Sequence, residues 1–134
     1  MIDIESEIFS QIAEATAERF PKLTLTNSEI LGVPQESPTA SIVEADNYTY
    51  DNTVDSGSNE NHAVVMFEVN VFSNKVSEKK TECKQIMSFI DEMMLNMGFS
   101  RTMKQPYKTD DATWCRLVCR YRGIVSKNKE IFRR

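Results

Sequence analysis

Histidine occurs once in these 134 residues, at His62, and that scarcity excludes much chemistry. A Ser–His–Asp or Cys–His arrangement needs an imidazole beside its nucleophile, and a histidine-rich zinc site needs several. The sequence has no G-x-S-x-G elbow and no phosphate-binding glycine loop, and it contains only four glycines. Cysteine is sparse as well: Cys83, Cys115 and Cys119 form no CxxC pair. On a strand, Cys115 and Cys119 share a face at roughly 13 Å, too far to bridge or to share a zinc, so buried free thiols are expected. No apolar run approaches membrane-spanning length, since AVVMF is interrupted by Glu68. The start, MIDIESEIFSQ, is acidic and helical in pattern rather than a basic-then-apolar export signal, which implies a protein at work in the cytosol that makes it.

Basic residues are nearly missing from one half of the chain. From Met1 to Phe72, 13 acids face only Arg19 and Lys22, a charge of −11; Ser73 to Arg134 carries 14 bases and 7 acids, a charge of +7. The two can cancel inside one domain, or they can give the molecule unlike-charged surfaces suited to head-to-tail self-association. Specific nucleic-acid binding is not expected, because the basic half has no aromatic stacking motif and the whole chain is acidic.

What is present is the patterning of one soluble domain spanning 1–134, with 40% hydrophobic and 27% charged residues. Asp3 to Phe20 places Ile4, Ile8, Ile12 and Ala15 at helical spacing, with Asp3 to cap and Pro21 to stop. Lys22 to Ile30 alternates as a short strand, LGVPQESP is a loop, and Thr39 to Tyr50 is a β-branched and aromatic strand. HAVVMFEVNVFS is the strongest strand, with Val65, Phe67, Val69 and Val71 on one face. Ser77 to Met97 is a second helix, ended by Gly98, whose stripe runs through Cys83, Ile86, Met87, Ile90, Met93, Met94 and Met97. Its four methionines read as core filler rather than as an adaptable groove. Phe99 to Gln105 is a short strand, PYKTDD a turn, Thr113 to Val125 a long alternating strand, and 127–134 a basic extended tail. This order predicts an α+β fold: a mainly antiparallel or mixed sheet of about five strands, with two helices packed on one face.

The segment DNTVDSGSNENH has the oxygen-rich look of a calcium loop, with Asp51, Thr53, Asp55, Gly57 and Asn59. Counted from Asp51, however, the glycine falls one position late and position 12 is His62 instead of a bidentate glutamate. Between two strands, such a stretch reads as a mobile hairpin loop, and its residues Asp51, Asp55, Gly57 and Asn59 become candidates for an assembly contact. No metal or other cofactor is expected, and no catalytic residue. One enzymatic alternative uses Glu44, Asp46 and Glu68, carboxylates on adjacent strands that could hold magnesium in a nuclease, although no catalytic lysine pattern accompanies them.

Strand alternation sends Ile42, Glu44, Asp46 and Tyr48 to the face away from the helices, together with Trp114, Arg116, Val118, Arg120 and Arg122. Charge mixed with Phe72, Tyr50 and Trp114 makes that face a candidate subunit interface. Two arrangements are open: the arginines meet Glu44, Asp46 or Glu68 of an adjacent subunit, or these charges pair within one chain across neighbouring strands.

The stretch from SIVEADNYTYDNTVDSGSNENHAVVMFEVNVFSN to FIDEMMLNMGFSRTM, with the ending YRGIVSKNKEIFRR, resembles small proteins of phages and prophages of Gram-positive bacteria. These look like tail terminator (tail completion, head–tail joining) proteins of long-tailed phages. The resemblance covers roughly Ser41 to Arg134, and its distinctive words, EADNYTY and DSGSNENHA, are not catalytic motifs. It implies a non-enzymatic virion protein that forms a ring, usually hexameric. Such a ring caps the tail tube, stops its polymerisation and meets the head-side connector, so the partners would be other copies, the tube protein and the connector. The virion neck, and the host cytoplasm during assembly, would be its location. A head-closure or connector ring component of the neck is the alternative within that setting.

Overall fold

Ile4, Ile8 and Ile12 fall one helical turn apart and are all buried, which is why the first segment folds as helix α1, Glu5–Arg19. The Asp3 carboxylate accepts the Glu5 N–H at 3.1 Å at its start, and Glu5 and Glu7 complement the N-terminal end of the helix dipole. Thr16 lies on the buried face, where its hydroxyl donates back to the Ile12 carbonyl at 2.8 Å and so leaves no orphaned polar group. Phe20 closes the helix before Pro21, and its ring meets Phe89 edge-on at 5.5 Å.

The structure, a computed structural model, describes residues 2–49, 62–107 and 111–131. After α1 come β1 (Thr24–Thr26), β2 (Thr39–Thr49), β3 (His62–Ser73), α2 (Lys79–Met97), β4 (Ser100–Tyr107) and β5 (Cys115–Ser126). The strands form one sheet in the order β1-β2-β3-β5-β4, antiparallel throughout except for the parallel β1–β2 pair. The expected α+β class and the five strands are therefore present.

Opposite residues in an antiparallel pair share a face. Phe67 faces Tyr121, Val69 faces Cys119 and Val71 faces Leu117, and this row joins Ile8 and Ile12 of α1 and Ile86, Met87, Ile90 and Met94 of α2 in one buried cluster. Met87 and Met94 are buried and Met93 and Met97 half-buried against the cluster, so the methionine stripe fills core. Gly98 ends α2 at φ 109°, with its N–H on the Leu95 carbonyl and the Phe99 N–H on the Met94 carbonyl. Only a residue without a Cβ takes that backbone cheaply. Beyond it, Phe99 packs edge-on to Phe67 at 5.5 Å.

Element ends shift by one or two residues, and three segments differ in a way that matters. The first strand is three residues, not the whole of Lys22–Ile30: it pairs only with Thr39–Ser41, and the Thr26 hydroxyl accepts the Ser28 N–H to turn the chain away. Pro106 and Tyr107 belong to β4 rather than to a turn, which an edge strand allows because its outer side needs no N–H. The described part of the tail is not extended. Ser126 donates its N–H to Glu130 O and Lys129 donates to Ser126 O, both at 2.8 Å, with Lys129 at φ 65°. Ile131 then bridges to Val125 and packs on the core, while the Lys129 ammonium bonds the Glu7 carboxylate of α1. An apolar anchor at Ile131 outweighs the basic composition that suggested a loose end.

Candidate functional site: the charged sheet face

Register assigns the face opposite the core cluster row by row. Across β2, β3, β5 and β4 the rows are Thr39–Phe72–Arg116–Tyr107, Ser41–Asn70–Val118–Gln105, Val43–Glu68–Arg120–Met103 and Asp46–Met66–Arg122–Ser100. Arg116, Val118, Arg120, Arg122 and Glu68 thus share one face, as alternation along the strands predicts, and Asp46 lies with them. Trp114 stands just before β5, where its N–H donates to the Asp111 carbonyl at 3.1 Å.

Ile42 and Glu44 do not belong to that face. Ile42 pairs with Val69 and is buried in the core, and Glu44 pairs with Phe67. A bulge at Ala45 then inserts one residue, so Asp46 and Tyr48 emerge on the other side. The Glu44 carboxylate accepts Asn47 Nδ2 at 3.0 Å, its N–H donates to Glu5 at 3.2 Å, and Asn47 also donates to the Ile2 carbonyl at 2.7 Å. Partial burial raises the Glu44 pKa, and the nearby Asp3, Glu5 and Asp46 charges push the same way against the Asn47 hydrogen bond. A magnesium site built from Glu44, Asp46 and Glu68 is therefore not assembled, since Glu44 lies across the sheet from the other two. Among the described residues no three His, Cys, Asp or Glu side chains come together as a metal site. Asp51, Asp55, Gly57 and Asn59 lie outside the described residues.

Glu68 and Arg120 on this face pair within the chain. Arg120 Nε meets Glu68 Oε2 at 3.0 Å, Asn70 Nδ2 donates to Glu68 Oε1 at 3.1 Å, and Arg116 Nε donates to Asn70 Oδ1 at 2.8 Å. The Arg116 guanidinium also lies 5.0 Å from the Phe72 ring centre and 4.2 Å from that of Tyr107, a cation–π sandwich. Of the two arrangements open from sequence, Glu68–Arg120 takes the one across neighbouring strands. Val118 and Phe72 are buried in the chain itself, which removes them as apolar contacts for a neighbour.

Two features escape sequence reasoning. The buried Tyr121 hydroxyl donates to Asp91 of α2 at 2.7 Å, and Arg101 of β4 holds the other carboxylate oxygen at 2.8 Å. Burial first and this bond second raise the Tyr121 pKa, so the phenol stays protonated and serves as a structural donor. The signal was an acid, Asp91, beside the apolar stripe of α2, opposite a tyrosine on the inward face of β5. The second is spatial. Strand order follows the charge split, so the acidic first half (α1, β1, β2) lies at one end of the sheet. The basic half (β4, β5 and the lysines of α2) lies at the other. Cys83 and Cys119 are buried free thiols with raised pKa values caused chiefly by desolvation. No helix among the described residues is long and apolar enough to cross a membrane. No family model matches the chain, and no curated protein matches it.

Proposed function

We propose that this protein is a structural ring subunit of a phage virion, a tail terminator that caps the tail tube, stops its growth and joins it to the head-side connector. It works without catalysis or cofactor, in the neck of the virion after assembly in the host cytoplasm. The observation that carries this reading is the separation of charge along the sheet. A ring is built from heterologous contacts, in which one surface of a subunit meets a different surface of the next. A subunit acidic at one end and basic at the other is suited to such contacts and opposed to like-end pairing. The sequence resemblance supplies the ring's place in the virion and its hexameric number. A neck connector ring is the second reading, and the position of the gene relative to that for the tail-tube protein separates the two. The nuclease reading loses its support with Glu44 turned away from Asp46 and Glu68.

Size-exclusion chromatography with light scattering tests the proposal. A discrete mass several times the 15.4 kDa of the chain, falling as salt rises, is the expected result. A monomer at every concentration up to about 1 mM, the weak end of specific association, overturns it.

A further inference from the structure

The parallel pairing of β1 with β2 forces residues 27–38 to cross back along the sheet, and this crossover carries an apolar tip. Leu31 is 86% exposed, beside Gly32 at φ 77°, where the chain turns. Ile30 anchors one side of the tip in a cleft with Ser41, Val43, Asn70 and Arg116, and Val33 and Pro34 are half-buried on the other. Leu31 is thus held outward on a supported loop, with the exposed carboxylate-bearing Glu29 two residues before it.

At the far end of the sheet a groove of about 360 Å³ runs between α2 and the β4–β5 edge. Its floor is Pro106, Cys115 and Leu117, and the rim is Lys80, Lys84 and Lys104. Lys104 and Pro106 stand opposite Cys119 and Leu117, so the groove opens on the helix side, whereas Ile30 packs on the other face. Three strand spacings, about 14 Å, separate β2 from β4, and the two features use opposite faces, so the groove cannot be filled by the tip of its own chain.

We infer that the groove is the docking site for a second copy: Leu31 of one subunit enters the Lys80–Lys84–Lys104 groove of the next, with Glu29 against the lysines. The apolar tip matches an apolar floor and the Glu29 carboxylate matches the ammonium groups of the rim, while either feature against its own kind opposes like charges. Such a contact is head-to-tail, the kind from which a ring is built when the rotation between successive subunits closes. The inference rests on the ring reading and gives it specific surfaces.

Two variants test it. Leu31→Asp should weaken association at least ~10-fold in light scattering, the loss expected when a charge replaces a buried leucine, with circular dichroism and melting unchanged because Leu31 has no packing role in its own chain. Val76→Asp, at another exposed apolar residue outside both the tip and the groove lining, should leave the mass unchanged. In a Cys83→Ala background, which removes the buried thiol that bonds the Cys115 carbonyl, Leu31→Cys treated with a mild oxidant should form an interchain disulfide with half-buried Cys115 and give a ladder of linked subunits that Cys115→Ser abolishes; Cys119 is buried and does not compete. An oligomer that survives Leu31→Asp and gives no Cys115-dependent ladder refutes the docking and leaves the ring standing. A wild-type chain that is monomeric throughout refutes both.

Discussion

Replacing Gly123 by alanine sets two effects against each other, and the geometry decides the sign. Gly123 is in extended strand backbone in β5, so alanine can adopt its conformation, and a Gly→Ala change there gains about 0.4–1 kcal/mol by restricting the unfolded chain. Against this, an added Cβ would lie 2.7 Å and 2.8 Å from Cδ1 and Cε1 of Phe99. Those atoms belong to a ring that is 3% exposed and edge-on to Phe67, so it cannot swing aside without disturbing the core. Overpacking of this kind costs about 1–3 kcal/mol. The net effect is a loss of about 0–2.6 kcal/mol, centred on about 1 kcal/mol, or roughly 3–5 °C in melting temperature at that centre for a domain of this length. Urea denaturation of Gly123→Ala, Phe99→Leu and the double variant checks the cause. The smaller, flexible leucine should cost less beside the added methyl group than beside the native glycine, with a coupling of about 1 kcal/mol. A stabilised Gly123→Ala, or strictly additive effects, would refute the reasoning.

Arg120→Glu should lower stability by about 0.5–1.5 kcal/mol, since it replaces a half-exposed pair with a like-charge pair, and should leave oligomer mass unchanged; the swap with Glu68→Arg should recover most of the loss in urea melts. Tyr121→Phe should cost about 1.5–3 kcal/mol in the same assay by removing a donor to the Asp91 carboxylate, with near-neutral effect if Asp91 is first replaced by alanine. Glu44→Gln should raise the melting temperature at pH 7. Because the folded-state pKa of Glu44 is raised, its contribution to stability falls as pH rises from the ordinary glutamate range through the raised value. The gain from glutamine should therefore vanish in melts below about pH 4, where both side chains are neutral.

The long elements were legible because their side-chain periods run unbroken. In β3 and β5 the alternation from Val65 to Val71 and from Cys115 to Tyr121 has no interruption, so each residue's face followed from parity. In β2 the parity changes at Ala45, which carries no glycine or proline to mark a bulge, and Ile42 and Glu44 were therefore assigned to the wrong face. Pairing partners are a property of the sheet and not of any strand, so the intrachain Glu68–Arg120 contact stayed one of two options until the register was known. The groove under Lys80, Lys84 and Lys104 draws on three elements separated in sequence, and no local pattern announces it. Ile131 had only one apolar neighbour in a basic stretch, too little periodicity to reveal a residue that folds back.

The parallel first pair of strands has a consequence for what this protein can vary. An antiparallel neighbour could be reached by a two-residue turn, but a parallel one obliges the connection to travel back the length of the pairing. Topology therefore prescribes how long the 27–38 segment must be, and the hydrogen bonds that Thr24 and Thr39 donate to Glu36 prescribe where it is tied to the sheet. Nothing in the fold prescribes what stands at the apex. The apex is thus a position where residue identity can change without renegotiating the core, a structurally cheap place to alter which surface one subunit offers to the next.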